Sequence, residues 1–115
     1  MRLMSVAMTE AAVLDRTKTV TRRLGWRFLK VGDRVTLCRK VMGLKKGESV
    51  VRICNVEIIG VRRERLEEIT LGDVALEGFP SWPVSQFVIM FMRAMKCDHE
   101  TEVTRIEWRY LEETK

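Results

Sequence analysis

Five stretches of this chain favour β-structure: residues 2–6, 18–23, 34–40, 49–63 and 101–111. Across the first four, the connections leave little room for crossover helices. A parallel doubly wound sheet needs a crossover of about a dozen or more residues, usually helical, between successive strands. That architecture is therefore excluded, and the expected order is β-α-β-β-β-α-α-β. It fits an α+β fold: a small, partly closed β-barrel of about five to six strands flanked by short helices. An open-sheet α+β sandwich is the competing arrangement.

Local patterns fill in the elements. Lys18-Thr-Val-Thr-Arg-Arg23 is β-branched and cationic, as a strand would be. In 34–40, Val35 and Leu37 share one face while Thr36 and Cys38 share the other. Alternation breaks within 49–63, which predicts a bulge near Asn55 or a bend at Gly60. The loop 24–33 carries Trp26 and Phe28 as its own anchors. Thr9 is placed to cap a short helix ending near Asp15, and Thr70-Leu-Gly-Asp73 fits a capping pattern before a helix stopped by Gly78. Ser81-Trp-Pro83 opens the last helix with Pro83 in its first turn. There Phe87, Met90, Phe91, Ala94 and Met95 form one apolar face, read as core packing. Trp108 is expected in the core, and residues 112–115 are expected to fray.

With 115 residues, 46% hydrophobic and 32% charged, the chain makes one domain, 1–115, with a core of its own. Its longest apolar run, Phe87 to Met92, is far below the ~20 residues needed to span a bilayer. Arg2, Glu10 and Asp15 interrupt the first fifteen residues, so no secretory signal is expected. Cys38, Cys54 and Cys97 are scattered, and His99 is the only histidine, so neither a disulfide framework nor a zinc site is written here. The expectation is a cytoplasmic protein without membrane, metal or cofactor.

Charge is unevenly spread. Residues 1–65 hold 16 Lys/Arg against 6 Asp/Glu, net +10, while residues 66–115 hold 5 against 10, net −5. Clustered cations bind phosphates by releasing counterions, so the asymmetry points to a polyanionic partner, nucleic acid above all. A solvated basic strand surface is the alternative.

Chemistry concentrates near residue 18. A threonine hydroxyl becomes a nucleophile only when a base removes its proton, and a lysine can be that base only when uncharged. Lys18 and Thr21 are such a pair, beside Arg16, Arg22 and Arg23, and Glu77 is a carboxylate able to orient the lysine or carry a proton. In a regular strand residues 18 and 21 point to opposite faces, so the two can meet only if Lys18 lies before the strand or the strand kinks.

The segment Arg16-Thr-Lys-Thr-Val-Thr-Arg-Arg23 resembles the signature of the ASCH family, small domains with the PUA-like barrel fold. Further marks follow in family order: Gly32-Asp-Arg-Val35, Leu66-Glu-Glu-Ile-Thr70, Glu77-Gly-Phe79, the helix around Phe87–Phe91 and Ile106-Glu-Trp108. The Lys-Thr-x-Thr-Arg-Arg form is similar to versions common in phage and bacterial chromosomes. The resemblance spans Met4 to about Tyr110 and implies a barrel with helices beside a cleft. It also implies RNA binding and, from one branch, hydrolysis of the acetyl amide of N4-acetylcytidine. In that branch the nucleophile, its activator and the proton-handling carboxylate fall on Thr21, Lys18 and Glu77, and a following arginine falls on Arg23. The chain departs from it at Arg22 and in the loop containing Trp26.

The expected partner is therefore RNA or a modified nucleoside. Arg16, Arg22, Arg23 and Arg27 are candidate phosphate contacts, as are the turn lysines Lys45 and Lys46. Trp26 and Trp82 are candidate base-stacking residues. Three other classes compete: a non-catalytic RNA-binding module, a regulatory protein with an acidic partner, and a metal-dependent ribonuclease.

Overall fold

A computed structural model describes residues 1–112, so of the stretch expected to fray, 113–115 lie outside the described residues. The strands are β1 (Arg2–Ser5), β2 (Val20–Arg23), β3 (Arg34–Cys38), β4 (Arg52–Arg65) and β5 (Glu102–Tyr110). The helices are α1 (Glu10–Leu14), α2 (Leu71–Leu76) and α3 (Val84–Met95), with single 3-10 turns at 7–9 and 66–68. The strands form one mixed sheet in the order β1-β3-β4-β5-β2, with β1 parallel to β3 and the other pairs antiparallel. The sheet curls into the expected partly closed α+β barrel, and its two free edges, β1 and β2, come back toward each other. The Arg23 side chain bridges them, donating from Nη2 to the Ser5 carbonyl at 2.6 Å.

The long strand β4 can serve both β3 and β5 because it bends. Its register on β5 shifts between Ile58 and Gly60, and its register on β3 shifts between Cys54 and Arg52, so irregularities fall beside both expected positions, Gly60 and Asn55. A bulge of this kind raises local twist and lets one strand turn a barrel corner. Directly opposed residues of an antiparallel pair point to the same face. Thr21 and Arg23 of β2 therefore share a face with Ile106 and Thr104 of β5, and Arg22 shares the other face with Arg105.

That two-sidedness separates two apolar cores. One fills the barrel with Met4, Val35, Leu37, Val56, Ile58, Ile106 and Trp108. The other lies under the helices, with Leu66, Ile69, Val74, Phe87, Phe91 and Val103. Each fully buried large side chain contributes about 1.5–3 kcal/mol, so Phe87 and Phe91 alone suffice to pin α3 to the sheet. The α3 face divides, however: Phe87 and Phe91 are buried, whereas Ala94 and Met95 are exposed, so this stripe is not wholly core.

Several local expectations shift. Thr70 caps α2 by accepting from the Asp73 N–H at 3.1 Å, but Thr9, buried, makes no side-chain cap at α1. Pro83 precedes α3 as its N-cap residue with extended backbone. In the loop 24–33 the buried anchor is Leu29, and Phe28 is exposed beneath the Arg2 guanidinium. Among the described residues no helix is long and apolar enough to cross a membrane.

Candidate functional site

The turn from α1 into β2 places Lys18. Its N–H donates to the Ala12 carbonyl, its own carbonyl accepts from the Tyr110 hydroxyl, and the next residue, Thr19, donates to the Leu76 carbonyl. Because β2 begins only at Val20, Lys18 is not bound by strand alternation and lies on the same side as Thr21. A turn, not a kink, therefore brings Lys18 to the cleft that Thr21 also lines, with its amine on Glu77.

Glu77 follows the last turn of α2, where its N–H donates to the Asp73 carbonyl at 2.8 Å. Gly78 then leaves the helix with φ +112, a conformation that favours glycine, and a Cβ there would lie 3.0 Å from Thr9 Cγ2. This close approach sets α2 against the 3-10 turn at 7–9 and directs Glu77 inward. Lys18 Nζ donates to the Glu77 carbonyl at 2.6 Å and to Glu77 Oε1 at 3.2 Å. Both residues are 3% exposed.

Burial lowers the Lys18 pKa, and the neighbouring Arg23 and Arg22 push the same way, while Glu77 opposes them. Thr21, also 3% exposed, accepts from Arg23 Nε at 3.2 Å. Burial likewise lowers the Arg23 pKa, but an arginine stays charged throughout the working range. Its guanidinium reaches Thr21 and the Ser5 carbonyl and makes no close ion pair among the described residues, while the Glu77 carboxylate attracts it from farther off, so a cation stands beside the hydroxyl.

These groups border a cleft with about 210 Å³ of space accessible to water. Lys18, Thr21, Arg23 and Glu77 line its polar end, and Ser5–Thr9 form one lip. Phe79, Phe87, Met90, Phe91, Ala94 and Met95 form the apolar wall. The cleft thus sits between the two cores, where the edge strands fail to close.

Arg22, expected as a phosphate contact, also borders the cleft, but its guanidinium is engaged inside the protein. On the opposite face of β2 from Thr21, its side chain is 1% exposed and enclosed by three carboxylates. It donates from Nη2 to Glu64 (2.8 Å) and Asp73 (2.6 Å), and from Nη1 to Glu77 Oε2 (3.1 Å). Glu77 is therefore divided between Lys18 on one oxygen and Arg22 on the other. Asp73 also accepts two bonds from Arg105, and the Arg105 and Arg22 guanidinium groups hold its carboxyl at about 2 against desolvation. The same pairing raises the Arg105 pKa.

The remaining candidates stand away from the cleft lining. Arg16 pairs with Glu112 and lies over the Tyr110 ring, and Arg27 pairs with Glu102. Trp26 packs on the barrel core beside Phe28. Trp82 is stacked on Phe79 at 4.3 Å, so it backs the cleft wall and gives that ring face to a protein neighbour. Glu64, Asp73 and Arg105 were not foreseen as site residues. Two signals pointed to them: Asp73 and Glu77 lie one helical turn apart, and Arg22 must face away from Thr21. Among the described residues no group of three or more His, Cys, Asp or Glu side chains is placed to share a metal ion.

No family model matches the sequence, and no curated protein matches it. Solved structures do. One is the ASCH domain from Lactobacillus crispatus JV V101, with TM-score 0.59 at 13% identity, covering 90% of this chain and 70% of that one. A second is a DUF984 family protein from Enterococcus faecalis V583, with TM-score 0.64 at 10% identity and the same coverage. With the partly closed barrel and its flanking helices, these likenesses give the chain the ASCH-domain fold.

Proposed function

We propose that the chain is a single domain whose cleft binds a modified nucleoside of RNA and hydrolyses an exocyclic amide, as in N4-acetylcytidine. The observation that carries this reading is the convergence of Lys18, Thr21 and Glu77 at one end of one cleft, with Arg23 beside the hydroxyl. The aromatic and methionine wall suits a planar base, and the polar end suits the group being cut.

In the proposed reaction the Thr21 hydroxyl oxygen attacks the amide carbon while neutral Lys18 takes its proton. The charge that develops on the carbonyl oxygen lies against Arg23. Collapse breaks the C–N bond, and Lys18 returns the proton to the departing amine. Water then attacks the acyl-threonine with Lys18 again taking a proton, which passes to the threonine oxygen as the carboxylic acid leaves. Glu77 holds the lysine in place throughout and favours its protonated form midway.

The test is the ultraviolet change on deacetylation of N4-acetylcytidine. Turnover by the wild type that is lost in Thr21→Ala supports the reading; no turnover by the wild type, or equal turnover by the variant, removes it. A second reading, a non-catalytic RNA-binding module, is favoured by one detail: Lys18 Nζ bonds Glu77 and not Thr21. It predicts RNA binding that survives Thr21→Ala. A regulatory protein with an acidic partner or a metal-dependent ribonuclease has no such observation behind it.

A further inference from the structure

Resting on that reading of the cleft, we infer that the main chain of Arg22 selects the substrate, its N–H and C=O binding a ring acceptor and the amide N–H beside it. Strand β2 is an edge strand, paired on one side only, with β5. Along an antiparallel pair, residues alternate between exchanging both main-chain bonds with their partner and turning both groups away. The Trp108 N–H donates to the Thr19 carbonyl, which fixes the phase of that alternation. Along the register, Thr21 then exchanges bonds with Ile106 and Arg23 with Thr104, while Val20 and Arg22 turn their groups to the free edge. The far side of β5 agrees. There the Leu111 N–H donates to the Asn55 carbonyl, so odd-numbered residues of β5 face β4 and even-numbered ones face β2.

The cleft lies along that free edge. Arg22 borders it although its side chain leaves by the other face, to Glu64, Asp73 and Glu77. The residue is 3% exposed, and its main-chain N–H and C=O have no partner among the described residues. Buried main-chain groups are nearly always paired, so a donor and an acceptor left open at a cavity mark a ligand position. Val20 is turned the same way but is not part of the cleft lining, and across the gap the Ser5 carbonyl is already taken by Arg23. An N–H and a C=O on one extended residue lie side by side, and they fit a ligand that presents an acceptor next to a donor. A cytosine or adenine ring acylated on its exocyclic amine has this edge, the amide N–H beside a ring nitrogen. Held on Arg22, the amide is brought to the preceding residue, Thr21, whose hydroxyl is the proposed nucleophile. The substrate class is a secondary amide on such a ring; a tertiary amide lacks the donor.

NMR of the isotopically labelled full-length wild type, titrated with cytidine, tests the inference, because the product is bound without being consumed. Cytidine should move the Arg22 amide proton downfield and slow its exchange with solvent. The 3-deaza analogue, which lacks the ring acceptor, and the pyrimidinone riboside, which lacks the exocyclic amine, should each bind roughly tenfold more weakly. An Arg22 amide already protected from exchange in the free protein, a cytidine titration that leaves it unmoved, or equal binding of the three nucleosides would each overturn the inference. So would a capped dipeptide, N-acetylalanine methylamide, that moves this amide when cytidine does not. The deacetylation assay judges Thr21 and the titration judges Arg22. Binding through Arg22 without turnover removes the reaction alone, and turnover with the Arg22 amide unmoved removes this inference alone.

Discussion

Replacing Arg22 by methionine should destabilise the fold more than any other single substitution of a charged residue here. The guanidinium is fully enclosed, and it satisfies oxygens on Glu64, Asp73 and Glu77 at once. Removing one partner from a buried ion pair typically costs about 3–5 kcal/mol, because the other charge is left without its partner. Each carboxylate here keeps a second cation: Asp73 keeps Arg105, Glu77 keeps Lys18 and Glu64 keeps Arg62. The lower end applies, about 3 kcal/mol, which for a domain of this size lowers the melting temperature by roughly 10–15 °C. Arg22→Lys should fall between, since one ammonium cannot fork to three carboxylates. Urea denaturation of wild type, both single variants and Arg22→Met/Glu64→Gln would measure the coupling directly. A loss below about 1 kcal/mol in Arg22→Met would refute the view that this arginine is the hub of the carboxylate cluster.

Other expectations concern pH, the acid–base group and the helix exit. Asp73 holds its proton less tightly in the fold, at about 2 against an ordinary 3.8, so its contribution is present above about pH 4 and lost as pH falls through about 2. That difference corresponds to at most ~2.4 kcal/mol, and to about 1–2 kcal/mol once solvent screening is allowed for. Acid titration of stability in Asp73→Asn should therefore be flatter than in the wild type below pH 4. Burial lowers the Lys18 pKa, so the folded state releases that proton before the unfolded chain does, and stability should rise as pH climbs through the folded value. Turnover should rise over the same limb. Lys18→Met should abolish the limb and cost roughly 10²–10⁴ in rate while the domain stays folded, as thermal melts would check. Gly78→Ala places a Cβ at positive φ against Thr9 and should cost about 1–3 kcal/mol, with turnover falling as Glu77 is displaced.

The strand pattern and short connections carried the barrel because alternation and connection length are local properties; the irregularity beside Asn55 was visible as a break in alternation, and the bend at Gly60 as a glycine within a strand. The association of Lys18 with Glu77 was named from residue type and resemblance, but its geometry was not readable. It depends on β2 starting at Val20 and on α2 ending against the turn at 7–9, which are contacts between segments about 60 residues apart. The carboxylate partners of Arg22 were not readable, because a cation beside two others looks like surface until strand parity is applied. Parity turns it away from Thr21, toward the carboxylates of α2 and β4. Asp73 was read only as part of a cap: its backbone N–H does accept that role, while its carboxylate serves Arg22 and Arg105. Trp26 and Trp82 looked available for stacking, yet neighbouring rings supplied partners that no spacing rule anticipates.

The most direct measurement is single-turnover deacetylation of N4-acetylcytidine by Thr21→Val. That substitution removes the hydroxyl while keeping the shape of a buried β-strand side chain. Nucleoside binding close to wild type with the chemical step slowed by at least about a thousandfold is the predicted result. Deacetylation within tenfold of the wild-type rate would contradict a threonine nucleophile and leave the cleft a binding site.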